Sequence, residues 1–356
     1  MAEVCLAFVV LGVTAYAIFG GADFGAGFWD LTAGGDQRGG RVRGMIQRSM
    51  APVWEANHVW LIFILVIMWT AFPVAFGSLF STLSIPLFLA GMGIIFRGAA
   101  FALRGQAGTM REARVLGALF ASSSVLIPFF LGAAVGGIAS GRVEVGNAAG
   151  DPIDSWVNPT SIFIGVLAIV TGAHVAAVYL AGDSVRADVP DMVKAFRKRA
   201  IGSGILAGIL ALGGILVVRE DAPDLFDGLT TGAGLAMVIA SAVGGALTLG
   251  LVFAGRYGLA RVSAGLAVGA IVVGWVLAQD PYLLPPDLTL EEAAADDTVL
   301  VTLAICVAVG MVILIPSLWY LYRLVLKGEL DQEFQPLDQR FRPVEAGGDP
   351  PAKAGH

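Results

Sequence analysis

Ser49–Trp60 reads SMAPVWEANHVW and runs directly into LIFILVIMW, residues 61–69. An apolar run of this kind has the length and character of a membrane helix. Its head carries a carboxylate (Glu55), an amide (Asn57) and an imidazole (His58). Glu55 and His58 are three residues apart, so a helix presents them on one face. Ionisable groups at membrane depth are costly, and they mark an ion or proton path or a buried partner contact. The rest of the chain reads as the scaffold that hides this face from lipid.

The composition agrees. Of 356 residues, 57% are hydrophobic and only 14% charged, which indicates an all-α polytopic membrane protein rather than a soluble domain. No basic segment precedes the first apolar run and no small-residue cleavage site follows it. The first helix is therefore expected to stay as a span rather than leave as a signal peptide. The two cysteines, Cys5 and Cys306, both lie inside apolar runs and read as inert thiols, not as a disulfide or a metal site. No basic patch interleaved with aromatics points to nucleic acid.

At about 20 residues per span, the sequence predicts about nine transmembrane helices, near 4–28, 53–75, 78–102, 114–138, 159–182, 200–218, 231–254, 259–278 and 298–322. A short turn near Phe76-Gly77 would separate the second from the third. The connecting loops alternate in charge. Arg38, Arg41, Arg43 and Arg48 fill the first, Arg104, Arg111 and Arg114 the third, and Arg186 with Lys194 to Arg199 the fifth. Arg256 and Arg261 mark the seventh, whereas the eighth carries only acids: Asp280, Asp287, Glu291, Glu292, Asp296 and Asp297. Positive charge favours the cytoplasmic side, so the N-terminus is expected outside and the C-terminus in the cytoplasm. Two four-helix bundles plus a peripheral helix fit the count. Residues 1–327 would form the transmembrane domain, and the polar, proline-containing 328–356 a flexible cytoplasmic tail. Glycines four apart (Gly21 and Gly25, Gly132 and Gly136, Gly204 and Gly208) are expected to let helices pack closely.

This topology gathers a polar layer. Asp23, Glu55, His58, Arg97 and His174 all fall within roughly 3 to 12 Å of the basic ends of their helices, at 1.5 Å per residue. Paired with one another they could remain in the membrane; unpaired, each would cost several kcal/mol. Arg97 is expected to pair with Asp23 or Glu55, with snorkelling to the headgroups as the alternative. Asp23 could instead cap a broken helix, and His174 reads as a hydrogen-bonded core histidine. Glu55-Ala-Asn-His58 also fits the Glu-x-x-His pattern of di-iron bundles, but that site needs a second copy, and the chain has three histidines and no such copy. A haem held between His58 and His174 is permitted by their similar depths. A secondary transporter is a further reading, although its signature of paired interrupted helices near the midplane does not match a layer displaced toward one face.

Several segments resemble subunit II of the cytochrome bd quinol oxidases. They are GGADFGAGFWDL (20–31), APVWEANHVWLI (51–62) and AFPVAFGSLFSTLSIPLFLAGMGIIFRGAAFALRG (71–105), with AQDPYLLPPDLTLEEAAADDTVL and IPSLWYLYRL near the end. The resemblance runs in order from about residue 4 to 326. It implies nine helices and a partner, subunit I, that carries the haems (b and d, or b only) and the quinol site. A small single-helix accessory subunit can join such complexes. Quinol is oxidised and oxygen reduced to water with protons drawn from the cytoplasm, at the bacterial cytoplasmic membrane. Subunit II is then haem-free, stabilises the complex, can hold a structural quinone and helps line a proton route. The acid of the family's PxWDGNxxW motif falls on Glu55, the second acid of DGFDxG on Asp23, and the arginine of FxR on Arg97. The pattern is broken at Gly20 and Ala22, at Ala56, and at His58, where the family often has a polar or acidic side chain. A bd-like complex with another electron donor or acceptor is the alternative these departures leave.

Overall fold

The computed structural model describes residues 1–50, 54–104 and 106–327, with the backbone alone at 36–38, 54–55 and 325–326. The expected tail at 328–356, with His356, lies outside the described residues. Fourteen α-helices and one small hairpin are described.

The first span is a single rod, Ala2–Leu31, interrupted by one π turn. Helix α1 (Ala2–Ala15) passes through the π turn Tyr16–Gly20 into α2 (Gly21–Leu31). The basic first loop contains α3 (Asp36–Met50), an amphipathic helix that buries Val42, Met45, Ile46 and Met50. Then come α4 (Trp54–Ala71), α5 (Pro73–Thr82), α6 (Ser84–Arg104) and α7 (Met110–Ala139). The second half holds α8 (Pro159–Arg186), α9 (Pro190–Asp221), the short α10 (Pro223–Thr230), α11 (Gly232–Phe253) and α12 (Tyr257–Gln279). The antiparallel hairpin β1 (Tyr282–Leu284) and β2 (Leu288–Thr289) and α13 (Leu290–Ala293) lead to α14 (Asp297–Leu326). The rod Ala2–Leu31 and seven further helices are long and apolar enough to cross a membrane, eight spans in all, and α4 contributes a shorter apolar segment, Ala56–Ala71. Together they correspond to the nine predicted spans.

Three boundaries differ from the sequence reading. The turn expected at Phe76-Gly77 lies inside α5; the breaks are at Phe72 and Leu83. A residue before proline is driven out of the helical region, and Phe72, ahead of Pro73, has φ −134° and ψ 59°. The third span therefore begins at Ser84 rather than 78. The sixth begins at Pro190 rather than 200, because a proline in the first turn suits a helix start and the basic residues from Lys194 to Arg199 simply extend the helix past its apolar part.

The first half, α1–α2 with α4, α6 and α7, packs through α2 and α7 onto α8, while α8, α9, α11 and α12 make the second. Helix α14 lies at the edge against α4 and α1. Small residues set the closest approach. A Cβ on Gly25 would stand 2.0 Å from the Gly172 carbonyl oxygen, and one on Gly132 2.9 Å from the Gly165 Cα. Gly204 seats the His174 ring, but Gly208 meets nothing within 4 Å, so only the first member of that pair is a packing glycine.

Each end of the bundle is cross-tied. At the basic end Arg41 of α3 pairs with Asp191 of α9 at 2.6 Å, and Asp183 of α8 receives both Arg186 and Arg261 of α12. At the acidic end Arg142 donates to Asp221, whose other oxygen accepts from the Thr160 backbone and hydroxyl at the start of α8.

Candidate functional site

Asp23 and Arg97 meet in the interior. Arg97 Nη2 donates to Asp23 Oδ1 at 2.7 Å and Nη1 to Oδ2 at 2.8 Å, a bidentate pair. Arg97 Nε donates to Ser124 Oγ at 2.9 Å, and Ser124 in turn donates to the Phe120 carbonyl at 2.7 Å. The guanidinium lies 4.6 Å from the Phe120 ring centre and 5.3 Å from that of Phe24. The Arg97 side chain is 2% exposed and that of Asp23 1%, so Arg97 does not snorkel. A dry pair of this kind holds only because the fork of the guanidinium matches the carboxylate and the leftover N–H finds Ser124. Neither Asp23 nor its helix is broken at this point: α2 continues to Leu31.

A second rung lies farther along the same two helices. Asp30 accepts from Arg104 Nη1 at 2.9 Å and from Arg43 Nε of α3 at 2.8 Å. Asp23 to Asp30 and Arg97 to Arg104 are both steps of seven, two helical turns. The sequence reading missed Asp30, Arg104, Arg43 and Ser124 as members of this network. The matching heptad steps on two helices running the same way were the signal.

His58 lies beside this layer on α4. Its Nδ1 is 3.5 Å from the Tyr16 hydroxyl, at the long limit of a hydrogen bond, and its ring centre is 6.1 Å from that of Phe24. Phe24 thus touches both His58 and Arg97. Glu55 lies in the first turn of α4, one helical step of three before His58; its side chain lies outside the described residues. Asn57 is buried, and among the described residues its Oδ1 has no hydrogen-bond partner.

His174 stands apart from these groups. Its Nδ1 is 3.0 Å from the Ala200 carbonyl, and a Cβ on Gly204 would come within 2.7 Å of its ring. That is a structural histidine joining α8 to α9. The two imidazoles turn to different neighbours, His58 to Tyr16 and Phe24 of the first span and His174 to α9. Among the described residues no three His, Cys, Asp or Glu side chains gather as metal ligands.

The family description of cytochrome bd terminal oxidase subunit II matches residues 1–325. The chain belongs to that family. Over 325 residues it is 24% identical to the putative cytochrome bd menaquinol oxidase subunit II of Bacillus subtilis strain 168, covering 88% of this chain and 92% of that one. Over 158 residues it is 28% identical to the cytochrome bd ubiquinol oxidase subunit 2 of the same organism, covering 44% of this chain and 43% of the relative. In structure it matches a chain of the bd oxidase from Geobacillus thermodenitrificans with a TM-score of 0.72 at 25% identity, covering 91% of this chain and 98% of that chain. As a bd-family subunit II with eight membrane-crossing helices and the shorter α4, it is a multi-pass protein of the bacterial cytoplasmic membrane. The low identity fits the departures from the family motifs at Gly20, Ala22, Ala56 and His58.

Proposed function

We propose that this chain is the haem-free subunit II of a quinol-oxidising bd-type complex, in which a partner subunit I holds the haems and reduces oxygen to water. The observation that carries the reading is a charged layer, buried inside the membrane span, in a chain whose family match extends over residues 1–325. Reducing one oxygen molecule to two waters consumes four protons and four electrons. Two quinols supply the electrons, and the protons come from the cytoplasm through the protein. The basic end of the bundle faces the cytoplasm on the positive-inside rule.

Within that layer Glu55 and His58 are the groups that exchange protons, and Asp23 and Arg97 supply the fixed charge beside them. A carboxylate relay needs its two protonation states close in free energy, which burial and neighbours arrange. The bidentate Asp23–Arg97 pair is a poor carrier itself, because protonating Asp23 would leave Arg97 as an uncompensated buried charge. It fixes the field in which Glu55 and His58 work. The chain also stabilises subunit I through its exposed apolar helix faces, with a small accessory helix and a structural quinone as further occupants. Residues 328–356 form a cytoplasmic tail.

Purification tests this. The chain, tagged and extracted from membranes, is expected to bring with it a haem-containing partner and quinol-dependent oxygen uptake. A colourless chain that purifies alone would overturn the assignment.

A further inference from the structure

The π turn Tyr16–Gly20 opens on Tyr16, which faces His58, and ends three residues before Asp23, which holds Arg97. A π turn adds one residue to a helical turn, and such bulges are often found at functional sites. Tyr16 and Phe24 are eight residues apart, which in an unbroken α-helix sets them about 80° apart around the axis. Absorbing one residue reduces the interval to seven, about 20° from alignment. The rings accordingly meet edge to face at 6.0 Å, and both contact His58: the Tyr16 hydroxyl at 3.5 Å from Nδ1, and the Phe24 ring at 6.1 Å. The same shift separates Tyr16 from Asp23, turning Asp23 toward α6 while Tyr16 faces α4.

Gly20 completes the arrangement. A Cβ there would stand 2.9 Å from Tyr16 Cε2. The glycine leaves room for the phenol ring to lie back along the turn. Tyr16 is 8% exposed and is enclosed by Phe24 and Trp60 in one apolar cluster.

We propose that Tyr16 is a positioning residue for His58. The π turn brings its hydroxyl within 3.5 Å of Nδ1 and fixes the orientation of the imidazole, so that proton exchange runs through the second ring nitrogen. Which nitrogen of a histidine works is set by the bond the other makes. This rests on the proton-route reading given above, and it names a residue that the family motifs do not contain.

The experiment uses the intact complex with its haem subunit. Tyr16→Phe keeps the ring and removes the hydroxyl; Gly20→Ala keeps the hydroxyl and displaces the ring. The infrared band of the His58 imidazole is isolated by subtracting the spectrum of a His58→Gln complex. Both variants are expected to shift that band while haem content stays unchanged. Tyr16→Phe is expected to slow oxygen uptake about fivefold, the size of one neutral hydrogen bond, and to add nothing in a His58→Gln background. An unshifted band in Tyr16→Phe would overturn the positioning role, whatever the route. Full multiplication of the two effects would overturn it as well. A shifted band with full-speed turnover in both Glu55→Gln and His58→Gln would overturn the route itself, and the relay role of the pair with it.

Discussion

Asp23 and Arg97 are 74 residues apart in sequence and form a two-bonded ion pair, with Arg97 Nη2 2.7 Å from Asp23 Oδ1 and both side chains all but closed to solvent. Seven residues on along both helices, Asp30 and Arg104 form a second ion pair through Nη1 alone at 2.9 Å, with Arg43 on the other carboxylate oxygen. The span Ala2–Leu31 and α6 are thus riveted at two depths.

Removing one member of the inner rivet leaves a lone charge in an apolar interior. Arg97→Leu and Asp23→Leu are each expected to lower stability by about 3–5 kcal/mol and to reduce the yield of haem-containing complex. The double substitution removes both charges and is expected to recover much of that yield. The check is haem absorbance per amount of membrane protein for the three variants.

The outer rivet is more exposed and its carboxylate has two partners. Arg43 has an 18% exposed side chain against 7% for Arg104. Arg104→Ala is therefore expected to cost about 1–3 kcal/mol, the range for unpairing a buried polar group. Arg43→Ala is expected to cost less, because water can replace part of its contact. Thermal inactivation midpoints of the purified complex compare them directly.

Glycines of equal helical propensity should respond in opposite ways. Gly25→Ala would drive a Cβ to 2.0 Å from the Gly172 carbonyl, which is backbone and cannot swing aside. It is expected to separate α2 from α8 and abolish assembly. Gly208→Ala meets open space and is expected to be neutral or stabilising by up to about 1 kcal/mol, the usual gain of alanine over glycine in a helix. Expression and heat resistance of the two variants provide the comparison.

Outside the membrane, Glu292 accepts from the Thr289 hydroxyl and backbone in a capping box, and these bonds hold its carboxyl below the usual carboxylate range. A folded pKa below the unfolded one contributes stability that is present above the unfolded pKa and is lost as pH falls through the folded value. The segment around α13 is expected to lose amide protection in acid, and Thr289→Val to weaken that dependence. Hydrogen exchange at residues 288–297, followed against pH, measures it.

Much of this was legible in the chain. Hydropathy gave the nine spans, and loop charge gave their alternation, since both are local properties. Depth narrowed the partner of Arg97 to Asp23 or Glu55, because only a group at the same level could keep the charge in the membrane; the choice of Asp23 came from the bidentate contact between α2 and α6. The misplaced turn at Phe76-Gly77 came from treating a span as one uninterrupted apolar run, although Phe72-Pro73 carried a local stop signal. Asp30 and Arg104 were overlooked because residues at helix ends read as loop charges until a second helix brings them together. Tyr16 was overlooked for a different reason. In regular helical phase it would not share a face with Phe24, and a π turn leaves no signature in apolar periodicity.

The proposed function requires proton delivery through Glu55. Glu55→Gln removes the ionisable group with almost no change in size. In the purified complex it is expected to slow quinol-driven oxygen uptake by at least about tenfold, within the range for loss of a general acid–base group, while haem content and subunit ratio stay at the native level. Native turnover in a fully assembled Glu55→Gln complex would contradict a proton route through Glu55.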